Sequence, residues 1–226
     1  MKNIIKNVIN RADRCFGLRA LMQNETQTVW NLEGDRAIEW SWMVSHLPKQ
    51  AARVLDFGCV QSSLSAIAAR LGHAVTAVDL RDIEYEMEGV RFRKGHINKL
   101  DFTSEQFDVI MNCSTVEHVG LEGRYAGQQE GEGDLEAMRR LRSLLAEGGI
   151  MILTIPVGRD AVFSPFHRIY GEMRIKRLLQ GFAVLDQEFW AKDASYLWKK
   201  CDRQVALATT GSNVYYALGL FLLRAN

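Results

Sequence analysis

Two short apolar runs end in a way that few folds tolerate. Arg53–Phe57 breaks at Asp56-Phe57-Gly58-Cys59, and Ala74–Asp79 stops on Val78-Asp79. Between them Ser62–Leu71 has helical periodicity, with Ala66, Ile67 and Leu71 on one face and Gly72 as its stop. A strand, a glycine turn, a helix and a second strand ending on a carboxylate make a right-handed βαβ unit. The glycine leaves bare backbone at the mouth of a parallel sheet, and the carboxylate at the next strand tip can accept both hydroxyls of a ribose. Together they predict a site for a nucleoside-bearing ligand.

The alternation continues along the chain. Strands are expected at Val90–Lys94, Phe107–Asn112 and Ile150–Ile155, the last apolar enough for a central strand buried on both faces. Asp134–Ala146 reads as a helix through Leu135, Met138, Leu141, Leu144 and Leu145, with Asp134 as its N-cap and Gly148-Gly149 as its end. Glu172–Gln180 is another helix, and Phe182–Glu188 and Val214–Leu223 are the last two strands. The pattern predicts an α/β, Rossmann-like, doubly wound sheet with helices on both faces and the ligand at the carboxyl ends of the strands. Residues 1–48 read as an N-terminal helical extension and 49–226 as the ligand-binding domain.

Composition narrows the classes. Net charge is +1, which gives no global case for nucleic acid. The four cysteines lie far apart without CxxC spacing, so they read as free thiols of a cytoplasmic protein. No run of 18 apolar residues and no signal-like leader is expected. Residues 1–20 carry Lys2, Lys6, Arg11, Arg14 and Arg19 among Ile4, Ile5, Val8 and Ile9. Such a basic amphipathic helix can lie on an anionic membrane surface, but the favoured reading is packing on the domain or on a second copy in a homo-oligomer.

The loop after the first strand separates nucleotide classes. After Gly58 come Cys59, Val60, Gln61, Ser62 and Ser63, so G-x-G-x-x-G is absent. A pyrophosphate requires glycine near Val60 or Gln61 for close approach to backbone amides. S-adenosylmethionine has no phosphate and tolerates side chains there. Asp56 would orient this loop or reach the cofactor's amino acid through water, and Asp79 would take the ribose diol.

These stretches resemble class I S-adenosylmethionine-dependent methyltransferases. The match runs in order through Val54-Leu55-Asp56-Phe57-Gly58-Cys59, Val78-Asp79-Leu80, Phe107-Asp108-Val109-Ile110, Val116-Glu117-His118-Val119 and Leu145-Ala146-Glu147-Gly148-Gly149. The resemblance implies a seven-stranded sheet with a C-terminal antiparallel hairpin. It implies cofactor contacts from Gly58, Cys59, Ser62, Asp79 and Leu80, an adenine contact from His96 or Ile97, and a methionyl border at Asn112 and Cys113. Val60 and Ser62 stand where the family has glycines, and His96 where it has an acid. A closer resemblance runs through Glu117-His118-Val119-Gly120, Gly123-Arg124-Tyr125, Gly133-Asp134-Leu135, Pro156-Val157-Gly158 and His167-Arg168-Ile169-Tyr170-Gly171. It is to small bacterial methyltransferases tied to surface polysaccharide assembly, in which the glycine-poor loop also occurs.

Methyl transfer to a hydroxyl needs a base with a pKa near neutrality, and histidine fits. His118, next to Glu117, and His167, in a loop with Arg168 and Tyr170, are the candidates. Arg124 and Tyr125 sit in a glycine-rich segment, 120–134, suited to an acceptor lid. Arg168 and Tyr170 are further acceptor contacts. Phe189, Trp190, Tyr196 and Trp198 would wall an acceptor pocket or pack in the core. Glu130, Glu132 and Asp134 read as solvent-facing acids, so no metal is expected. The expected function is O-methylation of a sugar or glycan intermediate. The alternatives are a lipid or other small-molecule acceptor, and a non-catalytic scaffold subunit.

Overall fold

A computed structural model describes residues 35–60, 62–83, 88–122 and 131–226. Helix α1 (Arg36–Ser45) leads into strand β1 (Arg53–Phe57), helix α2 (Leu64–Arg70), strand β2 (Ala74–Asp79) and strand β3 (Val90–Lys94). Strand β4 (Phe107–Cys113) is followed by a 3-10 turn (Val116–His118), helix α3 (Gly133–Ser143) and the long strand β5 (Leu145–Val157). A small hairpin, β6 (Ala161–Phe163) and β7 (His167–Ile169), comes next, and then helix α4 (Glu172–Leu178). Strand β8 (Phe182–Lys192), strand β9 (Trp198–Cys201), helix α5 (Arg203–Ala208) and strand β10 (Ala217–Ala225) complete the chain.

The main sheet has the order β3-β2-β1-β4-β5-β10-β8-β9. The first five strands are parallel neighbours, whereas β10 runs antiparallel to both β5 and β8. This is the Rossmann-like methyltransferase arrangement expected from sequence, with its antiparallel C-terminal pair. The β6–β7 hairpin was not anticipated, nor was one strand of the main sheet. β9 adds to the outer edge of β8, with Phe189 opposite Cys201 and Lys192 opposite Trp198. It takes up part of the aromatic cluster: Phe189 and Trp198 are buried in the core, and Tyr196 is exposed.

Side-chain alternation builds two cores. Leu55, Phe57, Val78, Ile110, Leu153 and Ile155 face α3 and α4. Val54, Val75, Val109, Met111, Ile152, Leu218 and Leu220 face the side that carries Trp42 and Met43 of α1 and Leu64 and Ala68 of α2. The two-sided burial of β5 explains its continuous apolar run.

Asp134 corrects one expectation. Glu132 stands at the N-cap of α3, and Asp134 points inward, fully buried. Arg174 reaches it through Nε at 2.9 Å and Nη2 at 2.5 Å, and the Tyr170 hydroxyl donates to it at 3.1 Å. Two guanidinium donors and a phenol outbid a cap for a buried carboxylate. The apolar periodicity of Leu144 and Leu145 also ran past the true helix end. Leu145 already pairs with Phe107 in the sheet.

Candidate active site

The site opens at the carboxyl ends of β1, β2, β3 and β4. At the tip of β1 the chain turns at Gly58, whose φ of +82° lies in the left-handed region. A Cβ there would come within 2.8 Å of the Thr115 Cβ and closer still to its Oγ1 and Cγ2. Conformation and space thus both demand glycine. The Gly58 amide donates to the Val78 carbonyl at 2.8 Å, tying the turn to β2.

Asp79 closes β2 and organises the loops on either side. Its Oδ2 accepts the Val60 amide and its Oδ1 the Arg81 amide, both at 2.9 Å. Arg81 Nε also lies 3.8 Å from Oδ1; a carboxylate offers about four lone-pair positions, which leaves acceptor capacity for a ligand diol. Leu80, His96 and Ile97 flank it along the same cleft. The His96 ring accepts the Asn98 amide through Nδ1 at 3.2 Å, which orients the imidazole.

The cleft then passes Ser62, Cys113, Ser114 and Thr115 and ends at His118 and Val119–Leu121. Arg36 and Trp40 of α1 form its roof. Sequence reading missed this roof. Its anchor is Glu39, fully buried under the sheet ends. Glu39 accepts hydrogen bonds from Arg36 at 2.8 Å, from the Thr154 hydroxyl at 2.8 Å and from the Ser114 hydroxyl. A buried carboxylate is tolerated when its acceptors are filled in this way. No pattern in residues 36–45 marks Glu39 as inward-facing, because its partners lie on β5 and just after β4.

Of the residues nominated from sequence, Gly58, Ser62, Asp79, Leu80, His96, Ile97, Cys113 and His118 line this one cleft. Others lie behind it. Asp56 is buried and accepts the Ser65 hydroxyl at 2.5 Å, fastening the first turn of α2. Burial, opposed by the Ser65 hydrogen bond and reinforced by the charge of Asp79, raises its pKa from 3.8 to about 6. Cys59 is buried, and burial pushes its thiol pKa up. Asn112 is buried and accepts the Val116 amide at 3.3 Å, holding the 3-10 turn to β4.

His118 and His167 differ in depth. His118 borders the cleft, and its Nδ1 lies 2.5 Å from the Phe166 carbonyl. A carbonyl only accepts, so Nδ1 carries a proton, and in the neutral ring Nε2 holds the lone pair. Nε2 lies 3.7 Å from Oε1 of Glu117. Glu117 is buried, and burial raises its carboxyl pKa well above the usual range. His167 is a layer back, 6.5 Å from the His118 ring centroid and 5.3 Å from that of Tyr216. Its acid–base role was expected from its loop position, but burial at 4% exposure takes it out of the cleft lining.

Arg168 and Tyr170 also require correction. Both were expected to contact the acceptor, and both are buried at 2% and 0% exposure. Arg168 donates to backbone carbonyls, and Tyr170 donates to Asp134. Arg124 and Tyr125 lie outside the described residues, as does the basic segment 1–20.

Comparison with known proteins agrees with the architecture. A ubiquinone biosynthesis O-methyltransferase of Cereibacter sphaeroides is 31% identical over 115 residues, which covers 47% of this chain and 42% of that protein. Its counterpart from a Caulobacter species is 32% identical over 116 residues, covering 47% and 41%. The match therefore spans less than half the length of either relative. Among solved structures, the 1,6-didemethyltoxoflavin-N1-methyltransferase of Burkholderia thailandensis, with bound S-adenosylhomocysteine, aligns at a TM-score of 0.55 and 16% identity, covering 100% of this chain and 89% of that one. The N-methyltransferase NodS of Bradyrhizobium japonicum aligns at 0.58 and 14% identity, covering 92% and 96%. These likenesses establish the fold. A family model spans residues 56–203, from the acid at the first strand tip to the start of α5, and by that match the chain belongs to the family described as "Caenorhabditis protein of unknown function, DUF268".

Proposed function

We propose that this protein is an S-adenosylmethionine-dependent methyltransferase that methylates an oxygen of a small acceptor, with His118 as the base. One observation carries the reading. A single cleft joins Asp79, His96 and Ile97 at one end to His118 at the other, across the glycine turn at Gly58. Its residues fit the cofactor. The unused lone pairs of Asp79 suit the ribose diol, and Leu80 and Ile97 offer apolar faces to adenine. Arg36 and Ser62 suit the charged amino-acid end. When bound, S-adenosylmethionine supplies a methyl group on a sulfonium. The protein's share is to hold an acceptor oxygen in line with that methyl and to take its proton. His118 Nε2 is the receiving atom, and the buried carboxyl of Glu117 lies 3.7 Å from it.

For the acceptor, the sequence resemblance favours a sugar hydroxyl of a surface-polysaccharide intermediate. The kinship with ubiquinone biosynthesis O-methyltransferases supports a second reading, a quinone-like or lipid-linked hydroxyl. Arg124 and Tyr125 would cover either acceptor as part of a lid, and residues 1–20 would bring the protein to an anionic membrane surface. Homo-oligomerisation is compatible with both.

Calorimetry with S-adenosylhomocysteine tests the first half of the proposal, and micromolar binding is expected. No measurable binding would favour the scaffold role. Transfer of labelled methyl to cell-envelope saccharide extracts and, in parallel, to hydroxylated quinone precursors separates the two acceptor classes.

A further inference from the structure

The β6–β7 hairpin grips the His118 turn at three points. The Phe166 carbonyl takes the His118 Nδ1 proton at 2.5 Å. The Arg168 Nη1 donates to the Val119 carbonyl at 2.5 Å and to the Glu117 carbonyl at 3.4 Å. Those carbonyls flank His118 on either side in sequence. Arg168 is itself fixed from behind, its Nε 3.8 Å from Oδ1 of Asp134. Asp134 is in turn held by Tyr170 and Arg174. One nitrogen of a guanidinium buried at 2% exposure thus reaches two main-chain oxygens of the 3-10 turn and its C-cap.

We propose that Arg168 is a positioning residue for His118. It clamps the turn through the carbonyls of Glu117 and Val119, keeps the imidazole against the Phe166 carbonyl, and so selects the tautomer that leaves Nε2 as the base. The reasoning rests on the assignment of His118 as base made above. The alternative is that Arg168 only anchors the hairpin to α3.

The two differ in the state of the imidazole. In 15N-histidine-labelled protein saturated with S-adenosylhomocysteine, His118 is assigned through its loss in His118→Gln. The wild-type ring is expected as the Nδ1–H tautomer. Solution imidazole prefers the other form, so in Arg168→Lys and Arg168→Met the Nδ1–H population should fall to about one-half or less. Cofactor-product affinity should stay within about threefold, because Arg168 does not line the cleft. A wild-type ring in the Nε2–H form, or an Nδ1–H form unchanged in both variants, would overturn the proposal. Arg168→Lys keeps the buried cation opposite Asp134, so it remains readable where the Met variant does not fold. Absence of S-adenosylhomocysteine binding by the wild-type protein would instead defeat the cofactor assignment. The tautomers measured on the unliganded proteins would then still decide the role of Arg168.

Discussion

The two ends of the cleft are built by different physics. At the β1–β2 end, the cleft is shaped by backbone. Gly58 acts through its missing side chain, and Asp79 is filled by two amides from adjoining loops. Their hydrogen-bond partners lie close in sequence or on the neighbouring strand, and Thr115, against which Gly58 packs, follows the end of β4. At the β4–β5 end, the cleft is lined by side chains held by side chains and main-chain carbonyls of distant segments. Glu39 reaches across to Thr154, and Arg168 is set against Asp134 and beneath the His118 turn. The first end should therefore fail sharply when one atom is added. The second should fail gradually, as geometry loosens while cofactor affinity survives.

The largest expected effect follows from that contrast. Gly58→Ala places a methyl against Thr115 at a φ that L-residues avoid. Loss of S-adenosylhomocysteine binding by more than about 100-fold is expected in calorimetry, with a stability cost of about 2 kcal/mol. Near-normal affinity would mean that the turn can open without consequence and that the ligand does not approach it.

The next effect concerns Asp56, beneath the same turn. Its folded pKa of about 6 lies above the unfolded value of 3.8, so the native state holds this proton more tightly. The stabilisation from its neutral form is fully present below about pH 4 and is lost as pH rises through about 6. A shift of roughly two units corresponds to about 3 kcal/mol. Asp56→Asn keeps an acceptor for the Ser65 hydroxyl and cannot ionise. Its stability relative to wild type should rise by up to that amount between pH 4 and 7 in denaturant titrations. Parallel curves for the two proteins across that window would place the Asp56 titration elsewhere.

The same contrast governs how much could be read in advance. Gly58 and Asp79 were legible because a strand end, a turn and a neighbouring strand end are local and leave a pattern in one stretch of chain. The parallel sheet was legible for the same reason, from the spacing of apolar runs, whereas its antiparallel C-terminal pair was expected only through the methyltransferase resemblance. Arg168 and Tyr170 were visible as chemistry but not as placement. Whether an arginine faces a ligand or the inside of the protein depended on Asp134, which looked from sequence like a helix cap. Arg36 and Trp40 were missed because the orientation of α1 is set by Glu39 and its hydroxyl partners on other elements. β9 was missed because Trp198-Lys199-Lys200-Cys201 is too short to declare itself without the β8 edge that it joins.

At the side-chain end, His118→Gln should lower methyl transfer by about 100-fold, in the range of a lost general base. Affinity for S-adenosylhomocysteine should stay within about threefold, since the contacts proposed for the cofactor come from the other end. A parallel loss of both quantities would show that the two ends are not separable. His167→Ala should have the smaller effect on turnover, because His167 lies behind His118 rather than in the cleft. The opposite ranking in a labelled-methyl assay would move the base one layer inward and erase the distinction in depth.

The smallest effect is expected at Asp79, and it tests whether the backbone end binds ligand as well as shaping it. Asp79→Ala removes two acceptors for loop amides and the free lone pairs assigned to the ribose. Loss of a charge-assisted contact to a diol is worth about 1.5–3 kcal/mol, so affinity should fall at least tenfold. Asp79→Asn separates the two roles. Its single carbonyl oxygen can still accept one loop amide, but its NH2 opposes the other, and its charge is gone. If Asn binds the cofactor product as well as Asp does, the carboxylate serves the loops alone and the ribose lies elsewhere. If Asn is as weak as Ala while both variants melt near the wild-type temperature, the charge is felt by the ligand directly.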